Sequence, residues 1–253
     1  MVWKKVVVCV VSSVCFAMNA GWGTAADAVD SGQPASRIGL VKDHSPVKYE
    51  GDIIFFADGK LAGYNKYTQT WSTIERKEGK AEHAMKIETH TIHSENDPKN
   101  AWTGKIFKDD MEDSVIYELF HQDEKRDIVL DAIIGRNGKP ETLQIPEEHY
   151  IIPGTLAIGT KWRGDHVLSS MTGVYNLEVI GSEVFNGVNC WTIKSTREPM
   201  AIPLTPNSKT ITWHALCLYD PLTLTFRRTH TTTEGIGPKG RKFKIIGHLE
   251  VVE

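Results

Sequence analysis

The sequence is as informative in what it lacks as in what it holds. Beyond its amino-terminal segment, no stretch approaches 18 unbroken apolar residues, so no transmembrane helix is expected in the mature chain. Cysteine is scarce, four in 253 residues, and no Cys-x-x-Cys pair is present, which excludes a dithiol redox motif. Charge of one sign is not concentrated: the net charge is −3 and basic runs are no longer than pairs such as Arg241-Lys242. That removes the electrostatic case for nucleic acid or an anionic membrane surface as partner. Gly-x-Ser-x-Gly and His-Glu-x-x-His are both absent. The one glycine-rich run, Gly235-Ile236-Gly237-Pro238, puts a proline where a phosphate cradle needs a backbone donor.

What is present begins with an export signal. Lys4 and Lys5 precede an apolar run, Val6 to Ala17, that is short for a membrane span. Ala26-Asp27-Ala28 then reads as a small-x-small cleavage site, so residues 1–28 are expected to be a signal peptide, with cleavage near Ala28 and a periplasmic or secreted product. Lipidation at Cys15 is disfavoured by the bulk of Val14 before it. Losing Lys4, Lys5 and Asp27 moves the net charge from −3 to −4. Residues 29–47 are rich in Ser, Gly, Pro and Asp and are expected to be a flexible leader, with order starting near Tyr49.

From there the pattern is that of short strands. Asp58-Gly59 lies between Asp52–Phe56 and Lys60–Tyr64, and Asn186-Gly187 joins Val174–Ser182 to Val188–Thr196. Both are hairpin signals, because the turn demands positive φ. Ala81–Ile92 alternates with a period of two, Met85 and Ile87 against Lys86 and Glu88. Further strands are expected at Lys66–Arg76, Ala101–Lys108, Ser114–His121, Asp127–Ile134, Glu141–Ile145 (after a third hairpin turn, Asn137-Gly138), Lys209–Tyr219, Leu222–Thr233 and Phe243–Val252. The reading is an all-β chain: an antiparallel meander forming a curved half-barrel or a sandwich. A bend at Pro146–Pro153 divides an N-terminal meander, residues 48–145, from a C-terminal β-region, residues 146–253, packed on it.

After export only Cys190 and Cys217 remain. In an oxidising compartment they are expected to pair, closing a loop that stabilises by roughly 3 kcal/mol. His83, His90 and His93 with Glu82, Glu88 and Glu95 have metal-ligand chemistry, but His90 and His93 fall on opposite faces of a regular strand, so no metal site is expected. Asp165-His166 with Ser169 or Ser170 has triad residue types, yet adjacent residues do not serve as orienter and base for one another. The acid pairs Glu82/Glu88 and Asp109/Asp113 read as surface carboxylates. No cofactor is implied. Trp71, Trp102, Trp162, Trp191 and Trp213 are candidates for lining a ligand cavity, or for filling the core.

The C-terminal region carries Gly159, Thr160 and Trp162, then Tyr175, Leu177, Val179, Gly181 and Glu183, then Phe185 and Gly187 and, further on, Trp213. In this pattern it resembles bacterial exported half-barrel β-proteins, the group that includes periplasmic lipoprotein carriers. The resemblance implies a curved antiparallel sheet whose concave side holds an apolar group, and it brings no catalytic residues. The expected function is therefore non-catalytic: holding an apolar small molecule, a lipid-like ligand or an envelope protein. A His/carboxylate hydrolase and a structural assembly factor are the alternatives.

Overall fold

The computed structural model describes residues 35–41, 46–96, 113–134, 150–168, 171–200, 209–236 and 240–252, and among these there is no α-helix. The strands are β1 (Ser36–Arg37), β2 (Val47–Ala57), β3 (Lys60–Glu78), β4 (Ala81–Asn96), β5 (Ser114–Gln122), β6 (Ile128–Ile134) and β7 (Tyr150–Ile152). They continue with β8 (Thr155–Leu156), β9 (Lys161–Leu168), β10 (Met171–Phe185), β11 (Val188–Met200), β12 (Lys209–Asp220), β13 (Thr225–Ile236) and β14 (Lys242–Val251). Twelve form one sheet, in the order β7-β6-β5-β4-β3-β2-β14-β13-β12-β11-β10-β9, and β1 pairs with β8 beside it. Every neighbouring pair is antiparallel.

The local elements follow the turn chemistry. Asp58 and Gly59 have φ of 50° and 76°, and Asn186 and Gly187 have 49° and 77°, the double positive φ of a tight hairpin turn. The expected strands at Lys60–Tyr64 and Lys66–Arg76 are one continuous strand, β3. Asn65, Tyr67, Gln69 and Trp71 are buried along it, while Lys66 between them pairs with Glu50 (3.3 Å) on the outer face.

The two expected regions do not stack as layers. They are joined edge to edge, because β14 pairs with β2 from Phe243↔Ala57 to Val251↔Tyr49. A flat sheet of twelve strands would be about 53 Å wide. Yet residues from one face of it, including Tyr49, Trp71, Phe120, Ile152, Trp162, Trp191 and Leu249, form a single buried cluster. The sheet therefore curls around its own core, and its edge strands β7 and β9 are not hydrogen-bonded to each other. It is an open, curved, half-barrel-like sheet.

Two expectations are corrected. Residues 35–41 are no flexible leader: Ile38 is 0% exposed and belongs to the core, and the segment straps across one end of the sheet. Its backbone bonds to Gly154 (Ile38 N–H to the Gly154 carbonyl, 2.9 Å) and to the β12–β13 turn (Gly39 N–H to the Pro221 carbonyl, 2.7 Å). Gln122 donates to the Gly39 carbonyl (3.0 Å), and Arg126 to that of Ile38 (2.9 Å).

Nor is there a Cys190–Cys217 disulfide; both thiols are free and buried. The register explains why. Cys217 pairs with Ile193 and lies in the main core, whereas Cys190, at odd spacing from Ile193, packs with Phe185 and Leu218 on the opposite face. A bridge through the sheet is geometrically barred. Burial pushes the Cys217 thiol up to about 12 and, with the charge of Asp220 adding, that of Cys190 up to about 11, so neither is poised as a thiolate.

The signal segment, the expected strands Ala101–Lys108 and Glu141–Ile145, the Asn137-Gly138 turn and residues 146–149 of the Pro146–Pro153 bend lie outside the described residues.

Candidate functional site: the concave face

The three tryptophans whose side chains are described converge on the concave side. Trp71 on β3, Trp162 on β9 and Trp191 on β11 are all buried in the one core cluster. Trp71 sits 4.8 Å from the ring of Tyr49, and its Nε1–H donates to Gln69 Oε1 (3.0 Å), which Gln69 Nε2 anchors through Thr89 Oγ1 (3.1 Å). The Trp191 Nε1–H donates to Ser36 Oγ of the strap (2.9 Å). Both indoles so described thus keep their polar atom satisfied while burying the ring. Trp213, on β12, pairs in register with Arg197 of β11 and Thr233 of β13; Trp102 lies outside the described residues.

The histidines are not assembled into a site. His90 Nδ1 lies 2.8 Å from Asp113 Oδ2, and His93 Nε2 lies 2.9 Å from Glu95 Oε1, both exposed pairs. His83 lies beside Phe120, with ring centroids 5.8 Å apart. His121 Nδ1 and Asp131 Oδ2 are 2.8 Å apart on β5 and β6, and His230 stacks on His248 with centroids 4.6 Å apart. Burial, then the charges of His248 and Arg228, push His230 down to about 4. Among the described residues no group of three His, Cys, Asp or Glu is placed to hold a metal ion. Asp165 and His166 are consecutive on β9; Ser169, Ser170 and Asp109 are outside the described residues.

Three polar residues that motif reasoning passed over stand out instead. Asn65 on β3 is 0% exposed, and neither its Nδ2 nor its Oδ1 has a hydrogen-bond partner. Ser195 on β11 is 3% exposed, with its Oγ unpartnered. Glu118 on β5 is 2% exposed, with its Oε2 unpartnered. Each such group costs roughly 1–3 kcal/mol. All three lie on the core-facing side: Asn65 pairs with Ile53, Ser195 with Ala215, and Glu118 with Met85. A signal for them existed in the alternation. Asn65 is an even step from Trp71, Ser195 from Trp191, and Glu118 falls between Ile116 and Phe120. A polar residue on the apolar side of an alternating strand is the sign to look for.

Burial drives the Glu118 carboxyl well above the usual carboxylate range. The sign of the pH effect follows. Between the unfolded value of about 4.3 and the raised folded value, the folded state keeps a proton that the unfolded state releases, so stability falls as pH rises. Glu118→Gln, a neutral isostere, is expected to match the parent near pH 4. Above that it gains up to about tenfold in the unfolding equilibrium per pH unit, until the folded carboxyl itself titrates. Urea unfolding of both proteins from pH 4 to 9 measures this; parallel profiles would refute it.

Comparison with known protein families and with curated proteins finds no match for this chain. Among the described residues no helix is long and apolar enough to cross a membrane.

Proposed function

We propose that this is an exported, non-catalytic binding protein of the bacterial envelope that holds an apolar or lipid-like ligand on the concave face of its sheet. The observation that supports it most is the asymmetry of the two faces. The concave face joins strands from both ends of the chain into one apolar cluster that contains Trp71, Trp162 and Trp191. The outer face carries ion pairs such as Lys66–Glu50 and Lys244–Glu234. The histidine–carboxylate pairs are separate and mostly exposed, which disfavours the hydrolase reading, since catalysis needs such groups to converge.

Native mass spectrometry of the mature protein purified from the periplasm tests the proposal. A co-purifying mass of lipid size, lost on mild denaturation, is the expected result. A clean protein mass, together with no uptake of added phospholipid or fatty acid, would overturn it.

A further inference from the structure

The outer face of the sheet carries a row in which two imidazoles meet. Across β12, β13, β14, β2 and β3 it reads Leu216, His230, His248, Asp52, Lys66, each residue the register partner of the next. Leu249, next to His248, lies in the core, and its register partner Thr229, next to His230, is buried with it. Alternation therefore turns both histidines to the outer face. Their rings stack with centroids 4.6 Å apart and 26° between planes. Cross-strand pairs stabilise a sheet when they are apolar, hydroxylic or of opposite charge. Two imidazoles are none of these, and protonating both would set like charges in contact. What a facing pair of imidazoles does supply is two nitrogen ligands for one transition-metal ion.

The spacings suit an ion. Two imidazoles bound at right angles, with metal–nitrogen bonds of about 2 Å, have ring centres roughly 4.5 Å apart. Glu250, two residues along β14 and on the same face, has its Oε2 3.5 Å from His248 Nε2. That is long for a hydrogen bond and close to the spacing of neighbouring ligand atoms around an ion. Asp52, the register partner of His248, adds a second carboxylate to the row. The nearby cations are already matched: Arg228 pairs with Glu183 (2.9 Å) and Lys66 with Glu50 (3.3 Å). Burial, with the charges of His248 and Arg228, keeps His230 neutral well into the acid range, so its lone pair is available to a metal. Among the described residues no three such groups converge on one point. The two imidazoles are thus the preformed part, and the carboxylate of Glu250, 39% exposed, must turn in to complete the set.

We infer that His230 and His248 hold a divalent copper ion on the outer face of the sheet, with Glu250 as the carboxylate ligand and water completing the coordination. Nitrogen and oxygen ligands at right angles are the tetragonal arrangement of copper(II) and nickel(II), and copper binds the more tightly of the two. The site lies on the face opposite the apolar cluster, so it stands or falls independently of the concave-face reading.

Titration of the mature protein, stripped of metal with a chelator, with copper(II) tests the inference by calorimetry and by electron paramagnetic resonance. One ion per chain is expected, with a tetragonal spectrum split by two nitrogens. His230→Gln and His248→Gln should each weaken binding roughly tenfold or more and remove one nitrogen from the spectrum. Glu250→Gln should weaken binding while keeping both nitrogens, and His93→Gln, in an exposed pair elsewhere, should leave it unchanged. Zinc(II) should bind more weakly than copper(II). Failure to bind one copper ion per chain would overturn the inference. So would binding that either His230→Gln or His248→Gln leaves at the parent affinity, because the ion would then sit elsewhere. Circular dichroism of the metal-free variants separates lost ligands from lost folding. Should His230→Gln not fold, His248→Gln, at a position 34% exposed, decides the matter alone.

Discussion

Replacing Asp220 with alanine is expected to destabilise the protein by about 3–5 kcal/mol. Asp220 closes β12 and is buried, yet its carboxylate has four partners. Arg227 Nη2 donates to Oδ2 (2.7 Å), as does Thr223 Oγ1 (2.6 Å). The Leu222 and Thr223 amides donate to Oδ1 at 2.9 and 3.3 Å. Burial pushes this carboxyl up, but the hydrogen bonds from Arg227, Thr223 and the two amides outweigh it and hold the group below its ordinary value. Alanine removes the turn's organising acceptor and leaves the mostly buried Arg227 without its counter-charge, its Nε already unpartnered. The sign in pH is that of a depressed carboxylate. The stabilisation is present above about pH 3.9 and is lost as pH falls through the lower folded value. Asp220→Asn keeps the shape but not the charge, so it should lose less than alanine and no longer show this acid-side dependence. Denaturant titrations at pH 3 and pH 7 measure both. Alanine at the neighbouring exposed Leu222 should stay within about 0.5 kcal/mol; an Asp220→Ala loss no larger than that would refute the argument.

The second large effect concerns the strap. Ile38→Ala is expected to cost about 2–5 kcal/mol, because it empties a fully buried position. The hydrophobic term is only part of it. Ile38 is the buried residue that seats a segment otherwise held by hydrogen bonds: its N–H to Gly154, Arg126 to its carbonyl, Gly39 to Pro221, and Trp191 to Ser36. Those contacts reach the β5–β6 turn, the β12–β13 turn and β11 together. The strap thus ties the two meanders at one end of a sheet whose edges β7 and β9 do not pair. The approach is close: a Cβ at Gly39 would stand 2.5 Å from the Leu222 carbonyl oxygen, so glycine is required there. The variant should therefore show faster proteolytic cutting within residues 35–41 under native conditions, as well as the lower Tm. Leu40→Ala, at a position 55% exposed, is the control and should change neither by much. Equal protease resistance in Ile38→Ala would mean that the strap is held without its core residue.

Asn65 and Glu118 mark how far a motif search reaches. Each is polar on the apolar side of its strand, Asn65 at the junction of two expected strands that are in fact one, yet neither belongs to a recognisable signature. The tryptophans drew attention through their size and prove to share one core, but size does not say which polar atoms lack partners. That depends on what lies across the sheet: Gln69 satisfies the Trp71 indole, while nothing comparable reaches Asn65.

The cysteines teach the complementary lesson. Cys190 alternates against Trp191, and Cys217 alternates with Ala215 and Tyr219. Had both apolar sides been assigned to one core, the two thiols would have fallen on opposite faces, as they do.

What the sequence by itself determined is therefore local. Asp58-Gly59 and Asn186-Gly187 dictate hairpins, because few residues other than glycine, asparagine and aspartate tolerate positive φ. Alternation over Ala81–Ile92, within β4, dictates a strand with one buried face. What only the tertiary structure decided is non-local. The pairing of β14 with β2 turns two meanders into one sheet, and the strap at Ile38 ties its turns. The physical reason is that backbone φ and side-chain alternation are properties of a few consecutive residues. Register and edge pairing, in contrast, are selected by the free energy of burying whole faces against one another, which no single segment encodes.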